Sequence, residues 1–266
     1  MRNSSIRPVA LTIAGSDSGG GAGLQADLKT FAALGVHGTS AITCVTAQNP
    51  RGVTGIQAVS PAMVRRQLEA VFAELPPAAG KTGMLFSAEL IRVVVKFFQS
   101  APRPPLIVDP VMVATSGARL LQPSAIRLLR DRLLPLATLV TPNLDEAELL
   151  LGLRITDEEG LRAAARLLWK NFGCAALVKG GHLRGTRLAV DIFYDGRTEL
   201  LLSAPFIPGR STHGTGCTYS AAIAAHCALG RPLTGAVTRA KDFITQAIAQ
   251  SVRVGRHDAL NCSWQK

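Results

Sequence analysis

Strand-length apolar runs alternate with longer amphipathic segments along most of the 266 residues, and this alternation narrows the fold more than any other feature. Val9–Ala14 reads as a buried strand, followed by a Gly-rich turn and a helix over about 22–34. Residues 39–45 read as a second strand. Pro61–Glu74 reads as a helix with Ser60 as its N-cap and Pro61 at its first position. The periodicity predicts further helices over 87–100, 123–134, 145–151, 157–172, 216–229 and 233–252. Strands fall between them at Leu106–Val108, 138–141 and Ala175–Lys179, and Leu188–Tyr194 pairs with 199–203 across Asp195-Gly196, a hairpin signal. Such alternation implies an α/β fold with a mostly parallel sheet covered on both faces. No repeat or linker interrupts it, so a single domain over 1–266 is expected.

In sheets of this kind ligands gather beyond the carboxyl ends of the strands, and the polar clusters of this chain follow predicted strands. The most informative is Ser211-Thr212-His213-Gly214-Thr215-Gly216-Cys217, which opens an alanine-rich helix. Two glycines let backbone amides converge without Cβ obstruction. The helix start adds unpaired N–H groups and partial positive charge, a setting for a phosphoryl group. Thiols at helix N-termini lose their proton more easily, so Cys217 is expected to have a lowered pKa. A plain turn and cap, with Cys217 as a small core residue, fits the same residues.

Two other motifs fail on inspection. Gly21-Ala22-Gly23-Leu24-Gln25-Ala26 matches the loose dinucleotide fingerprint, but after Asp27 the next carboxylate is Glu69, too far on to hold a ribose. Gly80-Lys81-Thr82 resembles the end of a P-loop, but Leu75 stands where that motif needs glycine.

Composition limits the remaining classes. The net charge is +11, yet the basic residues are scattered, without the aromatic ladder of a single-strand binder; no nucleic-acid partner is expected. Five cysteines without a C-x-x-C pair imply a reduced protein without a disulfide frame. No stretch is long and apolar enough for a bilayer. The expected compartment is the cytoplasm, with no membrane partner.

Taken in order, the clusters carry a family resemblance. They are the Gly-rich stretch from Gly15 to Asp27, then Thr46-Ala47-Gln48-Asn49, then Asp109-Pro110-Val111-Met112. Thr141-Pro142-Asn143-Leu144-Asp145-Glu146, Lys179-Gly180-Gly181-His182 and the loop ending at Cys217 complete the set. Together they resemble the hydroxymethylpyrimidine/phosphomethylpyrimidine kinases of thiamine biosynthesis, ribokinase-superfamily enzymes, over roughly 9–255. The resemblance implies a ribokinase-like single domain, ATP and Mg²⁺, and a homodimer. It implies phosphorylation of 4-amino-5-hydroxymethyl-2-methylpyrimidine and then of its monophosphate.

By the same resemblance Gln48 bonds the pyrimidine, Gly15 passes close to the ring, and Met84 and Val111 form apolar walls. Asp27 lies near the substrate hydroxymethyl group. Asn143 and Lys179 meet the nucleotide, as do Thr215 and Lys241, while Glu146 and Asp109 belong to the metal network. Gly214, Thr215 and Gly216 cradle the phosphoryl group, and Cys217 is the catalytic cysteine. Each has a plainer alternative: Asn143 and Glu146 are good helix openers, Lys241 and Asp27 could be surface residues, and Met84 and Val111 ordinary core. Ser18 stands where many relatives carry proline, which is expected to change loop stiffness only. Thr46 replaces a frequent aliphatic residue and is expected to make the pocket edge slightly more polar. The nearest rival activity is a pyridoxal or pyridoxine kinase. A catalytically silent ligand-binding module is the rival from another class.

Overall fold

The computed structural model describes residues 6–100, 103–112, 121, 123–181, 183, 188–208 and 213–264. In chain order these form β1 (Val9–Ala14), α1 (Gly23–Ala33), β2 (His37–Ile42), β3 (Cys44–Asn49), β4 (Gly52–Ala58), α2 (Pro61–Glu74), β5 (Ala79–Thr82), α3 (Ala88–Ser100), β6 (Leu106–Val108) and α4 (Pro123–Leu128). The second half supplies β7 (Leu139–Val140), α5 (Leu144–Leu151), α6 (Glu158–Phe172), β8 (Ala175–Lys179), β9 (Leu188–Tyr194), β10 (Glu199–Pro205), α7 (Thr215–Ala228), α8 (Leu233–Ala249) and a small ribbon, β11 (Val252–Val254) with β12 (His257–Ala259). Ser211, Thr212 and His182, singled out in the sequence, lie outside the described residues.

Eight strands form one sheet in the order β10-β9-β8-β7-β6-β5-β1-β2. The six from β2 to β8 in that row are parallel, and the β9–β10 hairpin closes one edge antiparallel. The alternating side chains of a strand divide cleanly between two cores. Leu106 and Val108 of β6, Val140 of β7, and Ala176 and Val178 of β8 face α2, α3 and α6. Ile107, Leu139 and Leu177 face the other way, toward α1, α7 and α8. Helix α7 is buried almost throughout, which explains its alanine-rich sequence. Wedged between the sheet and α8, it packs mostly small side chains, with Tyr219, Ile223 and His226 as the large buried ones.

Two elements depart from the sequence reading. The strand expected over 39–45 breaks at Thr43, whose N–H bonds Ala14 O (3.1 Å) and whose hydroxyl bonds Met84 O (2.7 Å). The chain then leaves the sheet and forms β3, which pairs with β4 as a separate two-stranded ribbon. The helix expected over 123–134 ends at Leu128, widens into a π turn over Leu129–Leu133 and finishes as a short 3₁₀ turn over Leu134–Leu136. Pro135 lacks the N–H that a continuing helix needs. Strands β4 and β5 escaped the sequence reading. The first is largely exposed, and the second, Ala-Gly-Lys-Thr, has no apolar run to reveal it. Among the described residues no helix is long and apolar enough to cross a membrane.

Candidate active site

The parallel strands end on one edge, where the face turned toward α7 changes from apolar to charged. Two positions beyond Ala79, Ile107 and Leu177 stand Lys81, Asp109 and Lys179, and Thr141 stands likewise beyond Leu139. This edge floors a cavity of about 560 Å³, within the range that holds a small ligand.

Two glycine loops seal the cavity where α1 and α7 begin. Asp17 accepts the N–H groups of Gly19 (2.8 Å), Gly21 (3.1 Å) and Ala22 (2.8 Å), and its Oδ2 lies 3.1 Å from His213 Nε2. Burial would raise its pKa, but His213 and the loop amides hold it below the usual value. The loop before α1 is thereby tied to the loop before α7. Gly214 caps α7 in the left-handed region (φ 81°), and a Cβ there would overlap Gly21 O; only glycine fits. Intrahelical bonding begins with Thr218 N–H to Gly214 O at 2.9 Å. The N–H groups of Thr215, Gly216 and Cys217 thus have no acceptor within the helix. Thr215 Oγ1 is buried without a partner among the described residues.

Below this helix start lie three lysine–aspartate pairs. Lys81 Nζ is 2.9 Å from both oxygens of Asp27, and both side chains are wholly buried. Thr12 Oγ1 donates to Asp27 at 2.6 Å. Lys179 donates to Asp109 at 3.1 Å, and the Ser220 hydroxyl lies 3.1 Å from the other Asp109 oxygen. Lys241 donates to Asp191 at 2.7 Å and to Ala189 O at 2.9 Å. Burial opposes charge on Lys81 and Lys179. The neighbouring carboxylates more than offset it, and both lysine pKa values lie above the ordinary value. Burial likewise pushes Asp109 up, but Lys179 and Lys81 bring it below the carboxylate range.

Of the residues expected at the site, Gly15, Gln48, Met84, Val111, Asp109, Asn143, Glu146, Lys179, Lys241 and the Gly214-Thr215-Gly216-Cys217 turn all line the cavity. Gly15 lies against Met84, and elsewhere in the cavity Lys179 pairs with Asp109 and Asn143 with Glu146. Asp27 is the correction. It stands behind the wall, enclosed by Lys81 and Thr12, and the residue facing the cavity in its place is Lys81. Lys81 was passed over as part of a failed P-loop. Its signal was a charge at the end of a strand whose neighbours are buried. Asp17 and His213, members of the two glycine-loop clusters with no role of their own in the sequence, also line the cavity, as does Asp191, which no motif marks. Lys241 is 7% exposed, not a solvated surface lysine.

Cys217 requires a second correction. It lines the cavity at the third residue of α7, as expected, but its thiol is not acidified. Burial pushes it up to about 11; Lys81 pulls it down, while Asp27 and Asp109 push it further up. The cation is present, but its own aspartate cancels much of its effect.

Asn143 and Glu146 form a reciprocal capping box on α5. Asn143 Oδ1 accepts Glu146 N–H and Glu146 Oε2 accepts Asn143 N–H, each at 2.9 Å. Burial raises Glu146 to about 7, with Asp109 adding to the rise against Lys179. Among the described residues no three His, Cys, Asp or Glu side chains are grouped as a metal cage. A magnesium ion needs no such cage, because it keeps waters and takes phosphate oxygens. A buried carboxylate with too little compensating charge suits that ion. The unpaired N–H groups of α7, the partnerless Thr215 hydroxyl and the remaining Lys179 hydrogens suit a polyphosphate.

Strand β3 carries a bulge between Ala47 and Gln48, the kind of irregularity that re-aims a side chain. Gln48 lines the cavity with Met84 and Val111. Gly15 lies beneath them, where a Cβ would come within 2.6 Å of Cys44 Sγ and 2.7 Å of Met84 Cε.

Comparison with known proteins places these features in context. Residues 17–261 match the phosphomethylpyrimidine kinase family. The chain is 52% identical over 250 residues to the hydroxymethylpyrimidine/phosphomethylpyrimidine kinase of Synechococcus elongatus, covering 94% of each. It is 50% identical to the thiamine biosynthesis bifunctional protein ThiED of Geobacter sulfurreducens, covering 96% of this chain and only 52% of that longer protein. Its fold superposes on the ADP complex of Bacillus subtilis pyridoxal kinase with a TM-score of 0.89 at 35% identity, covering 97% and 98% of the two chains.

Two outcomes follow from these charges. Lys81→Met strands a buried carboxylate and should destabilise the protein by about 3–5 kcal/mol in a denaturant titration, whereas adding Asp27→Asn should recover part of that loss. A double variant no more stable than the single one would contradict the pairing. Glu146 binds its proton more tightly folded than unfolded, so its contribution is full below pH 4.5 and lost as pH rises to about 7. Melting temperature should therefore fall more steeply across that window for the native protein than for Glu146→Gln; parallel curves would exclude the raised pKa.

Proposed function

We propose, for a chain that belongs to the phosphomethylpyrimidine kinase family, that it transfers the γ-phosphoryl group of ATP to 4-amino-5-hydroxymethyl-2-methylpyrimidine and then to the resulting monophosphate, in thiamine biosynthesis. The observation that carries this reading is the arrangement of one cavity. Apolar Met84 and Val111 with the amide of Gln48, suited to a ring, and Lys179, Asn143 and the start of α7, suited to phosphate, line the same cavity.

In this reading the chain acts as one kinase domain. The N–H groups of Thr215, Gly216 and Cys217 and the Lys179 ammonium hold the phosphoryl oxygens where negative charge gathers. Lys241 and Asn143 hold the far end of the nucleotide. Glu146, with Asp109 behind it, would hold Mg²⁺, which supplies charge neutralisation to the phosphates. Gln48 orients the ring, and Gly15 lets it approach the backbone. Asp27 acts through Lys81, keeping that ammonium charged beside the acceptor oxygen. The protein works in the cytoplasm as a homodimer, with no nucleic acid or membrane partner.

Cys217 receives the hydroxymethyl proton. A thiol with a pKa near 11 is overwhelmingly protonated at neutral pH, so a resting thiolate is scarce. A loose transition state for phosphoryl transfer requires little nucleophile activation early on, so the small thiolate fraction takes the proton late, as the oxygen bonds to phosphorus, and becomes the thiol. The second step differs, because a phosphate acceptor is already largely ionised at pH 7.

A pyridoxal kinase reading draws support from the structural match to the Bacillus subtilis enzyme. Incubation with ATP and either alcohol, with mass detection of the products, separates the two; phosphorylation of pyridoxal alone would overturn the pyrimidine reading. Cys217→Ala should depress the first phosphorylation by about 10²–10⁴-fold and the second far less. The first should also quicken steadily as pH rises from 7 toward 9. Equal losses in both steps would leave Cys217 with an orienting role only.

A further inference from the structure

Gln48 is held at two levels, and the hydrogens available decide which end of its amide meets the cavity. Its backbone is clamped by Ser18. The Ser18 hydroxyl donates to Gln48 O at 2.8 Å and accepts Gln48 N–H at 2.7 Å. Its side chain lies against Thr46, with the Gln48 amide oxygen 3.4 Å from Thr46 Oγ1. A threonine hydroxyl has one hydrogen. Thr46 directs it to Ser16 O at 2.8 Å, while the Thr46 N–H bonds Ser16 Oγ at 3.1 Å. The shorter contact takes the hydrogen, and toward Gln48 the hydroxyl offers only lone pairs.

Two acceptors would then face each other. The oxygen and nitrogen of a carboxamide have the same shape and exchange by a half-turn of the last torsion. The turned amide donates N–H to Thr46 Oγ1 and resolves the clash. Thr46 is 4% exposed, so no bulk water competes for that lone pair. With the backbone fixed by Ser18, this half-turn is the freedom that matters.

We propose that Thr46 is a specificity-determining positioning residue: it takes the Gln48 amide nitrogen, turns the Gln48 carbonyl oxygen into the cavity, and so selects an aromatic ring that carries an N–H donor beside its hydroxymethyl group. This inference rests on the aminopyrimidine reading. A ring with an amino group gives that carbonyl a hydrogen, and the second amide hydrogen of Gln48 remains for a ring nitrogen. A ring with an oxygen substituent there, such as pyridoxal, places an acceptor against an acceptor.

The test compares kcat/KM for hydroxymethylpyrimidine with that for pyridoxal in the native protein, Thr46→Val and Thr46→Ser. Thr46→Val keeps the shape and removes the lone pairs, so Gln48 can present either end, and the preference for the aminopyrimidine should shrink about tenfold, one hydrogen bond's worth. Thr46→Ser should restore it. A merely structural role would lower both substrates alike and leave the ratio unchanged, and that result overturns the proposal. The native protein decides the matter if Thr46→Val does not fold. Replacing the 4-amino group of the substrate by methoxy should lower kcat/KM at least a hundredfold, and equal turnover of the two would refute the assignment. A native protein that turns over pyridoxal and not the aminopyrimidine would instead remove the functional reading, and this inference with it.

Discussion

A lysine taken out of water tends to shed its proton, and Lys81 and Lys179 lie beneath one helix start. Asp27 and Asp109 prevent that loss, holding the two ammonium groups at 2.9–3.1 Å, and Asp191 pairs with Lys241 at 2.7 Å beside them. Buried ion pairs are seldom the most stable filling for a core, so packing alone does not account for them. What they provide is fixed positive charge beside amide hydrogens that have no partner in α7. The sheet makes this possible. Its strands end in step, and the face that carries Ile107, Leu139 and Leu177 continues into the charged residues. Small residues along α7 then bring the helix start down onto them.

The pairing also explains the state of Cys217. A helix N-terminus and a nearby ammonium are the usual means of acidifying a thiol, and both are present. Yet Lys81 gives two hydrogens to Asp27, and what reaches the sulfur is closer to a dipole than to a charge. Enclosure then dominates and the thiol stays protonated. A thiol in that state has no free lone pair basic enough for a proton; only its scarce thiolate form can act as a base, and that fraction grows as pH rises toward 11.

Much of this was legible in the sequence, for identifiable reasons. Strands buried on both faces, such as Val9–Ala14 and Ala175–Lys179, announce themselves as apolar runs. Helices with capping residues, such as Ser60 before α2, announce their ends. Clusters bound to the backbone, such as Asn143 with Glu146, are local and therefore visible as motifs. The missed features are those joining distant residues. Lys81 and Asp27 are far apart in the chain, and a lysine in a four-residue strand without apolar neighbours looks like a loop. Asp27 was placed in the right region and on the wrong side of the wall, because sequence spacing says nothing about which member of an ion pair faces the cavity. Ser18, read as a matter of stiffness, bonds Gln48 across a long stretch of chain, and Thr46, read as slight polarity, bonds Ser16 across another while lying against Gln48 two residues on.

Gln48 belongs to a different part of the fold from the charged residues of the cavity. Phosphate-facing groups sit on the large sheet, α5, α7 and α8, where each is held by buried partners that leave little room for substitution. Gln48 sits on β3, which pairs only with β4 in a ribbon outside the sheet and exposes alternate residues, whereas Gly15, Met84 and Val111 follow β1, β5 and β6 of the sheet itself. A change in β3 alters the hydrogen bonds offered to the acceptor without moving Lys81, Asp109 or the α7 amides. That separation lets one phosphoryl-transfer floor serve different alcohols, and it is consistent with a pyridoxal kinase sharing this backbone at 35% identity.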